Sequence, residues 1–104
     1  MTWAFVCAVA DIPPATARTL DMNPPIAVFN VDGAFYAIDD TCTHEVWSLA
    51  DGYIHGTQVE CALHSARFDL RTGEALCLPA TVSVRTYPVK AENGEVFVDV
   101  SSRT

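Results

Sequence analysis

Basic residues are scarce in this chain of 104 amino acids. Six Lys and Arg stand against thirteen Asp and Glu, which gives a formal net charge of −7 at pH 7. Most complexes with nucleic acids depend on positive side chains that neutralise phosphates. The composition therefore argues against nucleic acid as a partner, and it allows electrostatic steering toward a basic protein surface.

Long apolar segments are also absent. The apolar run at residues 3–10 is far shorter than the roughly 20 residues that a helix needs to cross a bilayer. No Lys or Arg precedes this run and Asp11 follows it directly, which is unlike a secretion signal. We therefore expect a first strand here, no membrane association and a cytoplasmic location.

Helical periodicity is missing as well. Apolar residues recur in short runs between turn residues, and no window of about eleven residues or more keeps a 3.6-residue period. Residues 26–31 and 34–38 flank Asp32-Gly33, a pair that favours a type I′ hairpin. The sequence predicts a single all-β domain over residues 1–104.

A second hairpin is predicted near the C-terminus. Residues 83–89 and 95–100 carry apolar side chains at alternate positions and are joined through Asn93-Gly94. Pro88 cannot donate a hydrogen bond to a sheet, so we expect it at an edge or at the end of its strand.

The segment from about residue 41 to 78 differs from these hairpins. It is rich in turn signals and has only short strand candidates, at residues 58–61 and 66–70. Loops on a rigid β scaffold often carry the chemistry of a protein. This segment contains two short motifs of possible metal ligands, Cys42-x-His44 and Cys61-x-x-His64.

Thiolates and neutral imidazoles bind both zinc and iron, so the composition of these motifs does not identify the metal. Zinc fingers with two Cys and two His usually pair like with like, whereas each motif here supplies one Cys and one His. Such motifs can place two thiolates on one iron and two imidazoles on a second iron, as in a Rieske [2Fe–2S] centre. A structural zinc site in an interaction module remains the alternative.

The chain resembles the small soluble Rieske ferredoxins of bacterial aromatic-ring-hydroxylating dioxygenase systems. The resemblance covers most of the chain and rests on Cys42-Thr43-His44, Trp47-Ser48-Leu49, Asp51-Gly52, Cys61-Ala62-Leu63-His64, Phe68-Asp69 and Thr72-Gly73. It implies the Rieske fold, an antiparallel β-sandwich-like base with a small loop-rich cluster-binding subdomain at about residues 41–78. It also implies one [2Fe–2S] cluster per chain, with Cys42, His44, Cys61 and His64 as ligands.

The implied function is electron transfer rather than catalysis, because four protein ligands leave no metal position for a substrate. The resemblance implies a monomer that accepts single electrons from an NADH-dependent flavoprotein ferredoxin reductase and passes them to a terminal Rieske oxygenase. We expect the added electron mainly on the iron bound by His44 and His64, and these imidazoles as its exit. A small Rieske subunit of another reductase complex, such as a nitrite reductase, is the second candidate.

Several positions depart from the Rieske proteins that the sequence resembles. Ser65 stands where Gly is common. In high-potential Rieske proteins of quinol-oxidising complexes, a disulfide joins positions that are Trp47 and Leu63 here, and hydroxyl donors occupy the positions of Ala66 and Phe68. We therefore expect no disulfide at the site, and a potential toward the low end of the Rieske range of roughly −150 to +300 mV.

The remaining candidates have less specific surroundings. Cys7 and Cys77 lie in apolar stretches and are expected in the core. His55, beside Gly56, is expected in a surface loop. Pro79 lies either in a third loop against the cluster or in a simple turn. Trp47 is a lid over the cluster, a docking contact or a core aromatic residue.

Overall fold

A computed structural model describes residues 1–41, 48–61, 66–76 and 82–101 of the chain. These residues form three antiparallel sheets and two 3₁₀ turns, Val9–Asp11 and Leu49–Asp51. The strands are β1 (Trp3–Ala8), β2 (Thr16–Leu20), β3 (Ile26–Val31), β4 (Ala34–Asp39), β5 (Tyr53–His55), β6 (Gln58–Glu60), β7 (Arg67–Asp69), β8 (Thr86–Tyr87), β9 (Val89–Glu92) and β10 (Glu95–Asp99). The all-β prediction is confirmed.

The middle sheet has the strand order β2-β3-β4-β8 and contains the first predicted hairpin. β3 and β4 pair antiparallel from Ile26 opposite Asp39 to Val31 opposite Ala34. The turn residues Asp32 and Gly33 have φ values of 51° and 90°, the left-handed region that a type I′ turn requires at both positions. This hairpin is confirmed.

The outer sheet has the order β1-β10-β9. The Asn93-Gly94 turn is confirmed, but the strand before it is β9 (Val89–Glu92) and not residues 83–89. Pro88 separates β9 from β8, which pairs with β4 in the middle sheet. Because Pro has no N–H to donate, the strand ends here and the chain passes from one sheet to the other.

The middle sheet is covered on both faces, as the alternation along β3 shows. Ile26 and Val28 pack with Val96 and Val98 of the outer sheet in one hydrophobic cluster. Their neighbours Ala27 and Phe29 belong to a second hydrophobic cluster on the opposite face. Every one of these side chains is fully buried, which explains why residues 26–29, at the start of β3, are all apolar.

The small sheet, β5-β6-β7, covers that opposite face. Ile54, Val59 and Phe68 occupy matching positions on the three strands and pack into the second cluster with Phe29. The strand candidates at 58–61 and 66–70 are confirmed as β6 and β7. Within the described part of the chain, no helix is long and apolar enough to cross a membrane.

Candidate metal centre

Of the four predicted ligands, Cys61 lies within the described residues. It follows β6 directly, its side chain is fully buried, and its thiol is free. Cys42, His44 and His64 lie outside the described residues. The structure does describe the residues from which the two ligand segments, 42–47 and 62–65, depart and to which they return.

Other sequence predictions also concern residues outside the described ranges. They include the alternatives for Trp47 and Pro79, the core placement of Cys77, and the departures at Leu63 and Ser65. These stay predictions.

Hydrogen bonds join the residues before the first ligand segment, Asp40 and Thr41, to the residues after it, 48–50. We call this arrangement the first frame. Thr41 and Ser48 form an isolated antiparallel bridge on either side of residues 42–47. The Asp40 carbonyl oxygen accepts a hydrogen bond of 2.6 Å from the Leu49 N–H. The Asp40 carboxylate oxygen Oδ1 accepts two more, from the Ser48 hydroxyl at 2.8 Å and the Ala50 N–H at 2.9 Å. Residues on both sides of the segment are therefore held together.

The second frame consists of the residues on either side of the second ligand segment, residues 60–61 and 66–67, and it is closed by different contacts. The Cys61 N–H donates a hydrogen bond of 2.7 Å to the Ala66 carbonyl oxygen, which closes the base of residues 62–65. One position further out, Glu60 and Arg67 lie opposite each other on β6 and β7. The Arg67 guanidinium donates from Nη2 and Nε to the Glu60 Oε1 at 3.0 and 3.2 Å.

The two frames meet in the protein interior. Leu49, which follows the first segment, and Cys61 and Ala66, which flank the second, are all fully buried in the same hydrophobic cluster. Gly52 packs against the Glu60 main chain so closely that a Cβ at this position would overlap the Glu60 carbonyl oxygen. The fold therefore brings together the bases of two segments that are distant in sequence.

A third connection adjoins the second frame. Ala75 forms a bridge with Phe68, and the Leu76 N–H donates to the Arg67 carbonyl oxygen at 2.8 Å. Beyond residues 77–81, the Ser83 hydroxyl accepts a hydrogen bond of 3.3 Å from the Ala75 N–H. The segment that contains Pro79 therefore starts next to β7.

Two further candidates are placed by the structure. Cys7 is buried in the cluster between the middle and outer sheets, as predicted, and burial raises the pKa of its thiol. His55 lies at the surface, as predicted, but it is the last residue of β5 and not part of a loop. Its imidazole is 47% exposed and contacts Glu60, with Nε2 3.1 Å from Oε1, because the short hairpin brings the two positions diagonally together.

Asp40 and the Glu60–Arg67 pair are the features of the frames that the sequence did not reveal. Asp40 stands two residues before Cys42, and Glu60 directly precedes Cys61. A search for charged residues next to each candidate ligand would have found both. Their partners follow the ligand segments, so the contacts depend on how each segment is closed.

The donor set fits an iron–sulfur cluster. Cys61 places a sulfur in apolar surroundings made by Leu49, Ala66 and Phe68, each without exposed surface. Thiolate sulfur is a ligand that both iron and zinc accept, and iron–sulfur clusters are held by such thiolates. A set of two Cys and two His is the type of ligand set that a Rieske centre requires.

Comparison with known proteins agrees with this chemistry. Residues 2–88 match the family model of the Rieske [2Fe-2S] domain. Over 101 residues the chain is 50% identical to the 3-phenylpropionate/cinnamic acid dioxygenase ferredoxin subunit of Escherichia coli strain K12, with 96% of this chain and 95% of that protein covered.

Solved structures show the same relationship. The Sphingomonas yanoikuyae B1 ferredoxin superposes with a TM-score of 0.87 at 37% identity, with 94% of this chain and 98% of that chain covered. A chain in the complex of reduced oxygenase and oxidized ferredoxin of carbazole 1,9a-dioxygenase superposes with a TM-score of 0.87 at 39% identity, with 92% and 91% covered. The cofactor is accordingly a single [2Fe–2S] cluster. The chain belongs to the Rieske [2Fe–2S] domain family, as a ferredoxin of the ring-hydroxylating dioxygenase type.

Proposed function

We propose that Cys42, His44, Cys61 and His64 are the complete ligand set of the cluster. The observation that carries this proposal is the position of Cys61, buried where the frames of the two ligand segments meet. Cys7 is a free thiol in the other hydrophobic cluster, which disfavours it as a ligand. Residues 41–78, which contain both ligand segments, would form the cluster-binding subdomain of a single Rieske domain.

Each ligand has a distinct chemical role in this proposal. Cys42 and Cys61 would supply thiolates to one iron, and His44 and His64 would supply neutral imidazoles to the other. When bound, the cluster supplies a one-electron redox couple. Replacing two thiolates by imidazoles reduces the negative charge around the second iron, so the added electron favours that iron.

The protein carries electrons and is not itself the catalyst. We infer that it accepts single electrons from an NADH-dependent flavoprotein reductase and delivers them to a terminal Rieske oxygenase. The ferredoxin and oxygenase of carbazole 1,9a-dioxygenase form a complex, which supports the second step. A carrier that exchanges partners needs a small interface, below about 1,200 Å², and we expect a monomer that works in the cytoplasm.

The near-full-length identity with a dioxygenase ferredoxin subunit favours this function over a small Rieske subunit of another reductase complex. The match to the Rieske [2Fe-2S] domain disfavours a zinc-stabilised interaction module. Neither alternative is favoured by a contact within the described residues.

Stopped-flow spectroscopy tests the proposed path. The purified protein is mixed with NADH and a flavoprotein ferredoxin reductase, and then with oxidised oxygenase of a 3-phenylpropionate dioxygenase system. We expect the visible absorption to bleach in the first step and to return in the second, with one electron transferred per chain. Failure of the oxygenase to reoxidise the reduced protein would contradict the proposed acceptor.

A further inference from the structure

Asp40 is a buried acidic residue at the entrance to the first ligand segment. Its side chain is about 5% exposed, and it lies between the end of β4 and Thr41. Its main-chain N–H donates to the Pro25 carbonyl oxygen at 3.0 Å, which attaches this point of the chain to the start of the middle sheet. The residue is therefore fixed from the side of the β scaffold.

The Asp40 carboxylate then reaches across the segment. Its two described donors, the Ser48 hydroxyl and the Ala50 N–H, both belong to the chain after residue 47. A buried carboxylate is unfavourable unless hydrogen bonds replace its hydration. Hydrogen bonds to an ionised group are shorter and stronger than those between neutral groups, so this carboxylate holds the two ends of the segment at a fixed separation.

We propose that Asp40 is a positioning residue for the cluster, one that sets the geometry of Cys42 and His44 by fixing both ends of the segment that carries them. The inference rests on the proposed ligand assignment. Metal sites depend on outer contacts that orient their ligands, and loss of such a contact typically costs 10- to 100-fold in metal affinity. Without the carboxylate, the described contacts across the segment would be main-chain contacts only, the Thr41–Ser48 bridge and the hydrogen bond from the Leu49 N–H to the Asp40 carbonyl oxygen.

The test compares Asp40→Ala with Asp40→Asn. Asn keeps a carbonyl oxygen that accepts from Ser48 and Ala50, whereas Ala removes both hydrogen bonds. We expect Asp40→Ala to release iron to a chelator about tenfold faster or more, and Asp40→Asn to stay within about threefold of the wild type. The rhombic EPR signal of the reduced cluster should broaden in Asp40→Ala and recover its line shape in Asp40→Asn.

Asp99 offers a matched control. It is also buried, at 6% exposure, and its Oδ1 accepts from the Thr2 and Ser101 N–H groups at 3.1 and 3.0 Å. These contacts lie at one end of the outer sheet, which packs into the other hydrophobic cluster. Asp99→Ala should lower the stability toward urea while the EPR line shape stays unchanged.

The outcomes separate the two proposals. A wild type without a Rieske EPR signal would refute the ligand assignment. If the wild type has the signal and Asp40→Ala behaves like Asp99→Ala, only the positioning role is wrong. Equal damage in Asp40→Ala and Asp40→Asn would also overturn it, because an oxygen that accepts from Ser48 and Ala50 would then not hold the segment.

Ser48→Ala keeps the test decisive if Asp40→Ala fails to fold. This variant removes one of the two hydrogen bonds to the carboxylate and leaves the one from Ala50. We expect iron release to be about two- to threefold faster than in the wild type, with a measurable change in EPR line shape. Release and line shape identical to the wild type would refute the proposal.

Discussion

The two ligand segments leave the β scaffold through frames that are closed by different interactions. The first frame uses a buried carboxylate, Asp40, whose described side-chain partners are a hydroxyl and an amide. The second uses a main-chain hydrogen bond from Cys61 to Ala66, beside an ion pair on the exposed face of the small sheet. In that pair the Arg67 side chain is 42% exposed.

The two frames therefore depend on different interactions to hold the ends of their segments in place. Charge-assisted hydrogen bonds away from water keep their strength in salt, so the first frame should be insensitive to ionic strength. An exposed ion pair contributes only about 0–1 kcal/mol and is screened by salt. The second frame must therefore depend mainly on the packing of Cys61, Ala66 and Phe68, all of which are fully buried.

The largest expected effect is the loss of the cluster when a ligand is removed, and it tests whether residues from both ligand segments bind the same cluster. Cys42→Ser and Cys61→Ser should each abolish cluster content, because each removes a thiolate ligand, whereas Cys7→Ser should leave the iron content intact. Iron and sulfide analysis of the purified proteins measures this. Full iron loading of the Cys61→Ser protein would refute the shared site.

The next largest effect concerns the contact between the two frames. Gly52→Ala places a methyl group against the Glu60 carbonyl oxygen, and backbone has to shift to admit it. We expect the free energy of unfolding to fall by about 1–3 kcal/mol, as measured by urea denaturation.

Gly56→Asn is the control for Gly52→Ala. Gly56 has φ of 59° and nothing within 4 Å of an added Cβ, and Asn tolerates this left-handed backbone. Its unfolding free energy should change by less than that of Gly52→Ala. Equal changes in the two variants would show that the close contact between Gly52 and the Glu60 main chain does not contribute to stability.

A smaller effect probes the apolar packing of the second frame. Ala66 and Phe68 are fully buried where high-potential Rieske proteins have hydroxyl donors. A charge-assisted hydrogen bond is worth about 1.5–3 kcal/mol, and if half of it distinguishes the redox states, each hydroxyl raises the potential by about 30–60 mV. Ala66→Ser and Phe68→Tyr should each show this rise in film voltammetry. A wild-type potential above about +100 mV would contradict the explanation.

The smallest expected effect isolates the exposed ion pair. Arg67→Met keeps much of the aliphatic side chain and removes the interaction with Glu60. We expect a loss of about 0.2–1 kcal/mol at low salt that shrinks toward zero at 1 M salt, as measured by urea denaturation. Ser48→Ala should show a loss that stays constant with salt. A salt-independent loss in Arg67→Met would remove the contrast between the frames.

Local chemistry made much of the fold predictable. Asp32-Gly33 and Asn93-Gly94 define their turns by residue type alone, and the short apolar runs beside them identify strands. The change from the middle sheet to the outer sheet at Pro88 was harder to predict. Whether Pro ends a strand or lies at the edge of a sheet depends on which sheet the following residues join.

For the site as well, features contained in a short motif were predictable, and features that depend on distant residues were not. The ligand types and spacing indicated the cluster, because they reflect chemistry that a short motif contains. The role of Asp40 depends on Ser48 and Ala50 beyond the segment, and β5 has only three residues, too few for a periodic pattern. The pairing of His55 with Glu60 required that strand to be recognised.

We propose that two Cys and two His, on segments held by these two frames, bind one cluster whose added electron lies on the histidine-bound iron. Electron–nuclear double resonance of the reduced protein, grown with ¹⁵N-labelled histidine, tests this directly. We expect one unpaired spin per two irons, coupled strongly to two histidine nitrogens. Coupling to no histidine nitrogen, or a colourless protein that contains zinc and gives no signal, would contradict it.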